Sequence, residues 1–538
     1  MYIVKIHIKN YKLLQDVCVY VNPNMNIFVG ENDAGKSTLL EAISIILSGK
    51  LNGYAFNRQI KDNLFNMTAR RNYIDSLASD PELPKIILEA YCEDGSADYK
   101  GTNNDFGEDV CGIRTVVEFD PQYESVYKAM LSSGDVKDIP VEFYRVNSMY
   151  FSGQPVIYKT SPIKAVFVDT TRKDYTGLVD RFVSENITEY LSEEDQVELS
   201  VAYRRVRAAF SESDTIEKLN QSIQNSDLLN ERNIAIELRE ENLDEWKRQM
   251  SVSVDMVPFE QIGFGSQNLI KVELAIANSE DHVNVILMEE PENSLSHTNM
   301  TMLLHRISSS DNKQIFISTH SSYVANKLNL DKLLLVRRGY IVAFRELPIE
   351  TIEYFEKLPG YDTLRFVLAE KVILVEGPTD DLIIQRAYMD KKGILPIEAG
   401  IDIIAVNSLA FKHYCNIAVI MKKMIAMVTD NDADVMGNIV SKYEEYANSG
   451  YIKLFYEKNE ALRTIEPSVL SVNCGDDGQP TVSFKKSISS NNSMMNRDYD
   501  EVLKFMSNNK TEWAMRIFNA KATICYPSYI EELLNEYC

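Results

Sequence analysis

The stretch Gly30-Glu31-Asn32-Asp33-Ala34-Gly35-Lys36-Ser37 limits what this chain can fold into more than any other. It fits G-x-x-x-x-G-K-[ST], a phosphate-binding loop that works only between a buried strand and a helix. Both flanks comply. Asn26-Ile27-Phe28-Val29 is apolar and β-prone, and Thr38-Leu39-Leu40-Glu41-Ala42-Ile43 has helical spacing. Glycines let backbone N–H groups face a phosphate, and the following helix adds its positive N-terminal end. Lys36 is expected on the β- and γ-phosphates and the Ser37 hydroxyl on Mg²⁺. Gly30, Asn32, Gly35 and Thr38 complete the expected ATP contacts.

Bulk properties set bounds around that site. A chain of 538 residues holds two to four domains. Its net charge of −23 argues against non-specific coating of DNA. It leaves room for a local basic groove, or for carboxylates that hold metal. Seven cysteines, with no C-x-x-C pair, suit a reducing cytosol. The alternating start, Met1-Tyr2-Ile3-Val4-Lys5-Ile6-His7, reads as a strand and not a signal peptide. No apolar run is long enough for a membrane helix, so a soluble, cytoplasmic protein with no membrane partner is expected.

Residues 2–9 and 16–21 alternate as strands, and Tyr11 at their turn is open between stacking on adenine and simple packing. Strands are expected at 86–91, 116–119 and 164–169, with Arg172 beyond the last. Residues 185–250 read as a helical insertion that opens on a capping box at Ser192–Asp195 and includes a helical run from Leu228 to Met250. That insertion is open between a dimerisation surface and a packed subdomain. Gly263-Phe264-Gly265-Ser266-Gln267 then precedes Val285-Ile286-Leu287-Met288-Glu289-Glu290. An apolar strand ending in two acids suits a Mg²⁺-organising Glu289 and a water-orienting Glu290. A further strand, Gln314 to Thr319, ends in His320, positioned for the γ-phosphate.

Taken in order, these four elements resemble the ABC-type ATPase head. The resemblance implies that Gly265 and Ser266 close the ATP held by a second copy, so the working unit is a homodimer or higher oligomer. The interval from Lys36 to Glu289 is too short for long coiled-coil arms, and no sustained heptads occur.

A second α/β unit begins after a linker at 346–368. Strand Lys371–Val375 ends in Glu376-Gly377, and Asp380 follows one helical turn later. Strand Ile425–Thr429 ends in Asp430-Asn431-Asp432-Ala433-Asp434. Alternating carboxylates after a buried strand suit hard divalent cations. An EF-hand is excluded, because the loop lacks its glycine and terminal glutamate. Residues 474–497 read as a loop.

The Glu-Gly and D-x-D pair resembles the Toprim domain, and an ABC-type head followed by Toprim is similar to the OLD family of nucleases, which includes the Gabija nuclease subunit and some retron effectors. Leu462-Arg463-Thr464-Ile465-Glu466-Pro467, Lys510-Thr511-Glu512-Trp513 and Tyr526-Pro527-Ser528-Tyr529 resemble further segments of that family. The resemblance implies that Glu376, Asp380, Asp430, Asp432 and Glu466 hold Mg²⁺ or Mn²⁺ and that Lys510 offsets charge on the phosphate. It also implies a role in antiviral defence, with a helicase-like subunit or a reverse transcriptase and its RNA as partner. This chain departs from the family at Leu295-Ser296-His297-Thr298, where Leu-His-Pro is usual, and at Asn407-Ser408, where a glycine turn is usual.

The expected fold is therefore α/β, an ABC-type P-loop ATPase head with a helical insertion followed by a Toprim Rossmann-like domain. The expected segments are 1–184 and 251–345 for the head, 185–250 for the insertion, 346–368 for the linker and 369–538 for Toprim. The expected function is an ATP-binding, Mg²⁺-dependent hydrolase of DNA, an endonuclease or nickase. The rivals are a DNA-repair or chromosome-maintenance ATPase whose Toprim domain binds DNA without cutting, a nucleotide-gated assembly module, and a Toprim primase.

Overall fold

The computed structural model describes residues 1–77, 81–134, 136–170, 192–224, 236–237, 252–277, 284–308, 313–321, 324, 330–337, 339–357, 362–406 and 410–538. The chain forms two compact units, Met1–Ser321 with Val336–Ile341, and Ser322–Leu335 with Val342–Cys538.

Two sheets build the first unit. One is antiparallel, ordered 14–20, 2–11, 86–93 and 110–119, with 144–150 also paired to 110–119. The other runs parallel through 165–169, 285–289, 314–319 and 25–29. Helix Lys36–Ser48 packs against strands of both. It is apolar nearly all round, which is how a helix with two buried faces must read. Gln314, almost fully buried, ties the layers together. Its side chain pairs with both backbone groups of Ile3, at 2.8 and 2.7 Å, and donates to the Asn22 carbonyl at 2.8 Å.

Tyr11 is completely buried, with its hydroxyl toward Glu41, so packing and not adenine stacking is its role. The insertion contributes helices Glu193–Ser211 and Asp214–Gln224, the first opened by the Ser192–Asp195 capping box. Arg172 lies outside the described residues, as does all of the run 228–250 except 236–237.

The second unit centres on a four-stranded parallel sheet, ordered 401–405, 371–375, 425–428 and 452–455. Helix Pro378–Lys392 and the helical segments after residue 464 share one core with it, in which Trp513 is fully buried. Arg386 organises that packing. It is nearly buried, pairs with Asp390, and donates to the carbonyls of Ile517, Phe518, Ala520 and Ala522. These lie at and beyond the end of helix Lys510–Asn519, whose last carbonyls have no intrahelical donors.

Two expectations need correction. The stretch 346–368 is not an open linker. It carries helices Ile349–Lys357 and Asp362–Leu368, with Phe355, Phe366 and Val367 buried. Likewise 474–497 is not all loop. Thr481 caps helix Val482–Ile488, and Phe484, Ile488 and Met494 enter the core. Asn407-Ser408 lies outside the described residues.

Replacing Arg386 by Met should leave several buried carbonyls without donors and cost about 2–4 kcal/mol. Urea unfolding of the full chain, followed through Trp513 fluorescence, measures this as a lower midpoint for the second unit.

Candidate functional site

Two acid-rich strand edges gather the candidate site residues, one in each unit. In the first, register pairs Glu289 with Ser318 and Thr319 with Val29. Strands 25–29, 285–289 and 314–319 therefore end level, and the segments that follow them share one edge. Gly35 caps helix Lys36–Ser48 in the left-handed region, φ 105°, which L side chains rarely adopt. Gly30 is fixed by space, since a Cβ there would lie 2.4 Å from the Val336 carbonyl oxygen.

A cavity of about 460 Å³ opens above this loop. Leu13, Asn32–Thr38 and Glu290 line it. Lys36 is nearly buried and donates to the carbonyls of Gly30 and Glu31, at 2.9 and 2.8 Å. Burial lowers its pKa, while Glu290, Asp33, Glu289 and Glu292 act to raise it. The Ser37 hydroxyl donates to Glu289, whose own carboxyl is pushed up by burial. Glu290 stands at φ 45°, its amide held 2.9 Å from the Ser318 carbonyl. Its carboxylate meets His320 Nδ1 at 2.9 Å and accepts from Asn293 at 3.1 Å. The lysine, the two acids and the histidine thus converge, with Glu289 on the helix serine and Glu290 on the cavity.

Gly265 and Ser266 sit elsewhere. They begin helix Phe264–Ala277, Ser266 is exposed, and neither lines the cavity. A Cβ at Gly265 would lie 2.2 Å from the Ser294 carbonyl oxygen. Buried Asn268 donates to the Asn293 carbonyl at 3.1 Å. Helix His297–Ser308 starts within the unusual 295–298 segment.

In the second unit, strands 371–375 and 425–428 are adjacent and parallel, and the chain leaves the first toward 401–405 on its other side. Ligands of open α/β sheets sit at such a switch point, at the carboxyl ends. Glu376 and Asp430 emerge there side by side. Glu376 accepts from Thr429 Oγ1 at 2.6 Å and from the Asp430 amide at 2.9 Å. Asp380, in the first turn of helix Pro378–Lys392, accepts from the Gly377 amide at 3.1 Å. Glu466 is buried, accepts from Thr464 Oγ1 at 2.6 Å, and lies 3.7 Å from Lys510 Nζ. Asp432 is exposed.

These acids feel one another. Burial, then Glu376 and Glu466, push Asp380 up to about 7. Burial, then Asp380, Glu376, Glu466 and Asp432, push Asp430 up to about 9. Such shifts mark negative charge that the protein alone leaves uncompensated. The donor set is all oxygen, which suits Mg²⁺ or Mn²⁺. As the side chains stand, no three His, Cys, Asp or Glu groups among the described residues form a set at metal-ligand distances. The fit therefore rests on charge and donor chemistry.

Family profiles match this chain in two places. One is an AAA ATPase domain over residues 1–104 and 114–325, and the other an Overcoming lysogenization defect protein-like TOPRIM domain over 367–432. An OLD nuclease of Thermus scotoductus is 24% identical over 400 residues, which cover 70% of this chain and 72% of that protein. The chain belongs to the OLD family. It is an ABC-type ATPase head followed by a parallel-sheet Toprim domain.

The DNA replication and repair protein RecF of Clostridium beijerinckii is 31% identical over 155 residues, 28% of this chain. The chain spans about two fifths of the length of the RecF relatives it matches. An SMC head domain from Thermotoga maritima aligns at TM-score 0.30 and 16% identity, over 64% of this chain and 99% of that one. Among the described residues, no helix is long and apolar enough to cross a membrane.

Sequence reasoning missed the hydroxyls that aim the acids. Thr429 serves Glu376, Thr464 serves Glu466, Thr319 serves Glu292, and Thr170 holds the Glu289 carbonyl at 2.7 Å. For Thr170, Thr429 and Thr464 a threonine next to or two residues before an acid was the available signal, and for Thr319 there was none. The Arg463 carbonyl accepts the Asp432 amide at 3.3 Å, which brings the 462–467 segment's backbone against the acid edge.

Asp430→Asn should raise thermal stability in EDTA, by removing one of several repelling charges, and should abolish any rise on adding Mg²⁺. The pH sign follows. Folded-state pKa values above the unfolded ones make the wild type in EDTA lose stability as pH climbs from about 4 toward 9. Melting curves across that range, with EDTA or Mg²⁺, measure both effects.

Proposed function

We propose that this OLD-family protein is an ATP-binding, divalent-metal-dependent DNA endonuclease or nickase, whose head controls its Toprim site. The observation that carries this reading is the mutual elevation of Asp380 and Asp430 beside Glu376 and Glu466, with Lys510 next to Glu466. Glu376, Asp380, Asp430, Asp432 and Glu466 would hold Mg²⁺ or Mn²⁺. When bound, the metal would supply charge for the attacking and leaving oxygens of a phosphodiester. Lys510, more than half exposed, is free to turn from Glu466 to a non-bridging phosphate oxygen. Thr429 and Thr464 keep Glu376 and Glu466 oriented. Water serves as the nucleophile.

In the head, Gly30, Asn32, Gly35, Lys36, Ser37 and Thr38 would bind ATP, and Ser37 and Glu289 would hold its Mg²⁺. Lys36 moves from the loop carbonyls to the phosphates. Glu290 receives a proton from the attacking water, and His320 steadies that carboxylate. Ser266 and Gly265 complete the site of a second copy, consistent with their place outside the cavity of their own chain. The OLD nuclease relative supports DNA as substrate. A defence role, and a helicase-like or reverse-transcriptase partner, belong to the same proposal by family resemblance. One observation favours a second reading. The RecF similarity suits a repair ATPase whose Toprim domain binds DNA without cutting.

Supercoiled plasmid incubated with Mg²⁺ or Mn²⁺, with and without ATP, separates the two. The nuclease reading expects wild type to cut and Asp430→Asn to cut at least ~100-fold more slowly, with Lys36→Ala showing whether ATP gates cutting. Binding without scission in every lane favours the repair reading. Glu290→Gln should slow ATP turnover by ~100-fold or more and prolong an ATP-dependent dimer, read by light scattering. Unchanged turnover would overturn the Glu290 assignment.

A further inference from the structure

Asn431 separates the two acids of the D-x-D segment and is itself completely buried. Its amide nitrogen points at three backbone carbonyls of a distant loop, Glu457 at 2.8 Å, Asn459 at 3.1 Å and Leu462 at 3.4 Å. Its Oδ1 accepts the Ala433 amide at 2.9 Å, and its carbonyl accepts from Asn438 at 3.3 Å. Two more bonds join the same segments. The Asp432 amide reaches the Arg463 carbonyl at 3.3 Å, and the Val435 amide reaches Glu460 Oε1 at 3.2 Å. Residues 431–435 and 457–463 are therefore one hydrogen-bonded body.

Both ends of that body carry acids. At one end Asp432 and Ala433 stand at φ 48° and 64°. Side chains other than glycine, asparagine and aspartate rarely adopt that conformation, so Ala433 in particular needs holding there. The bond from the Ala433 amide to Asn431 spans the strained pair. At the other end the loop runs into Thr464, which holds Glu466. One uncharged side chain thus links the segment bearing Asp430 and Asp432 to the segment bearing Glu466. Its chemistry suits the place. An amide offers two donors to carbonyls and one acceptor to a backbone N–H. Aspartate would set acceptor against acceptor and add another charge to the cluster, while serine is too short to reach across.

We propose that Asn431 is a positioning residue of the metal site, which fixes the Asp432 backbone and the separation between the D-x-D segment and Glu466. This rests on reading the acid cluster as a metal site. It predicts that Asn431 acts on metal affinity as outer-shell groups do, by about 10–100-fold, without touching metal.

The test titrates full-length wild type, Asn431→Ala and Asn431→Asp with Mn²⁺, reading free Mn²⁺ by electron paramagnetic resonance, with melting curves in EDTA alongside. The expected result is that Asn431→Ala remains folded and binds Mn²⁺ at least tenfold more weakly. The Mn²⁺ requirement for plasmid cleavage should shift by the same factor, more than the rate at saturating Mn²⁺ falls. Asn431→Asp should not rescue affinity despite its shape and added charge. A variant that melts lower yet binds Mn²⁺ within twofold of wild type overturns the proposal and leaves Asn431 a packing residue. If Asn431→Ala fails to fold, Glu460→Ala decides, because it removes one bond of the same body from an exposed position. A weaker Mn²⁺ affinity there sustains the proposal, and an unchanged one overturns it. A wild type that takes up no Mn²⁺ defeats the metal-site reading itself, a result distinct from either.

Discussion

Like charges buried together repel, and a fold that gathers them must hold them by other means. Glu376, Asp380, Asp430 and Glu466 crowd the carboxyl edge of one small parallel sheet, two of them pushed far above the ordinary carboxylate range. Backbone amides and threonine hydroxyls supply part of the restraint. The rest comes from the surrounding core. Arg386 ties helix Pro378–Lys392, which brings Asp380, to the end of the helix that begins at Lys510. The electrostatic tension at the edge and the packing behind it are one design.

The head solves a related problem with related parts. Its parallel strands also end level, and its acids also sit just past their ends. There the lysine is inside the site, buried among carbonyls and within the field of Glu289, Glu290 and Glu292. The head thus carries its own internal counter-charge, whereas at the Toprim edge the exposed Lys510 stands beside one acid. A cation that arrives from solution has more to stabilise at the second edge than at the first.

Much of this was legible in the residue order. Both loops that follow a strand end, Gly30–Ser37 and Asp430–Asp434, announce themselves by type and by flank, because each gathers its glycines or acids within a few consecutive positions. What stayed hidden depends on distant partners. Nothing local shows that Asn431 reaches carbonyls 26 to 31 residues ahead, since a carbonyl has no sequence signature. The helices at 349–357 and 362–368 were hidden by Pro359-Gly360, a pair that reads as a break between structured regions. Helix Val482–Ile488 is short and polar, and its few core residues sit among serines and asparagines. Tyr11 looked available for a base only because its burial under neighbouring strands is a tertiary fact.

The left-handed backbone at both acid edges also decides which substitutions speak clearly. Glu290 and Asp432 occupy φ 45° and 48°. Glycine takes that conformation freely and asparagine at little cost, while alanine and branched residues resist it. At Asp432, alanine therefore alters charge and backbone together, and glutamate keeps the charge but not the fit. Asparagine removes the charge and leaves the turn in place. In a saturation library the survivors at this position would sort by backbone tolerance before they sort by chemistry, and a tolerated asparagine would separate folding from function.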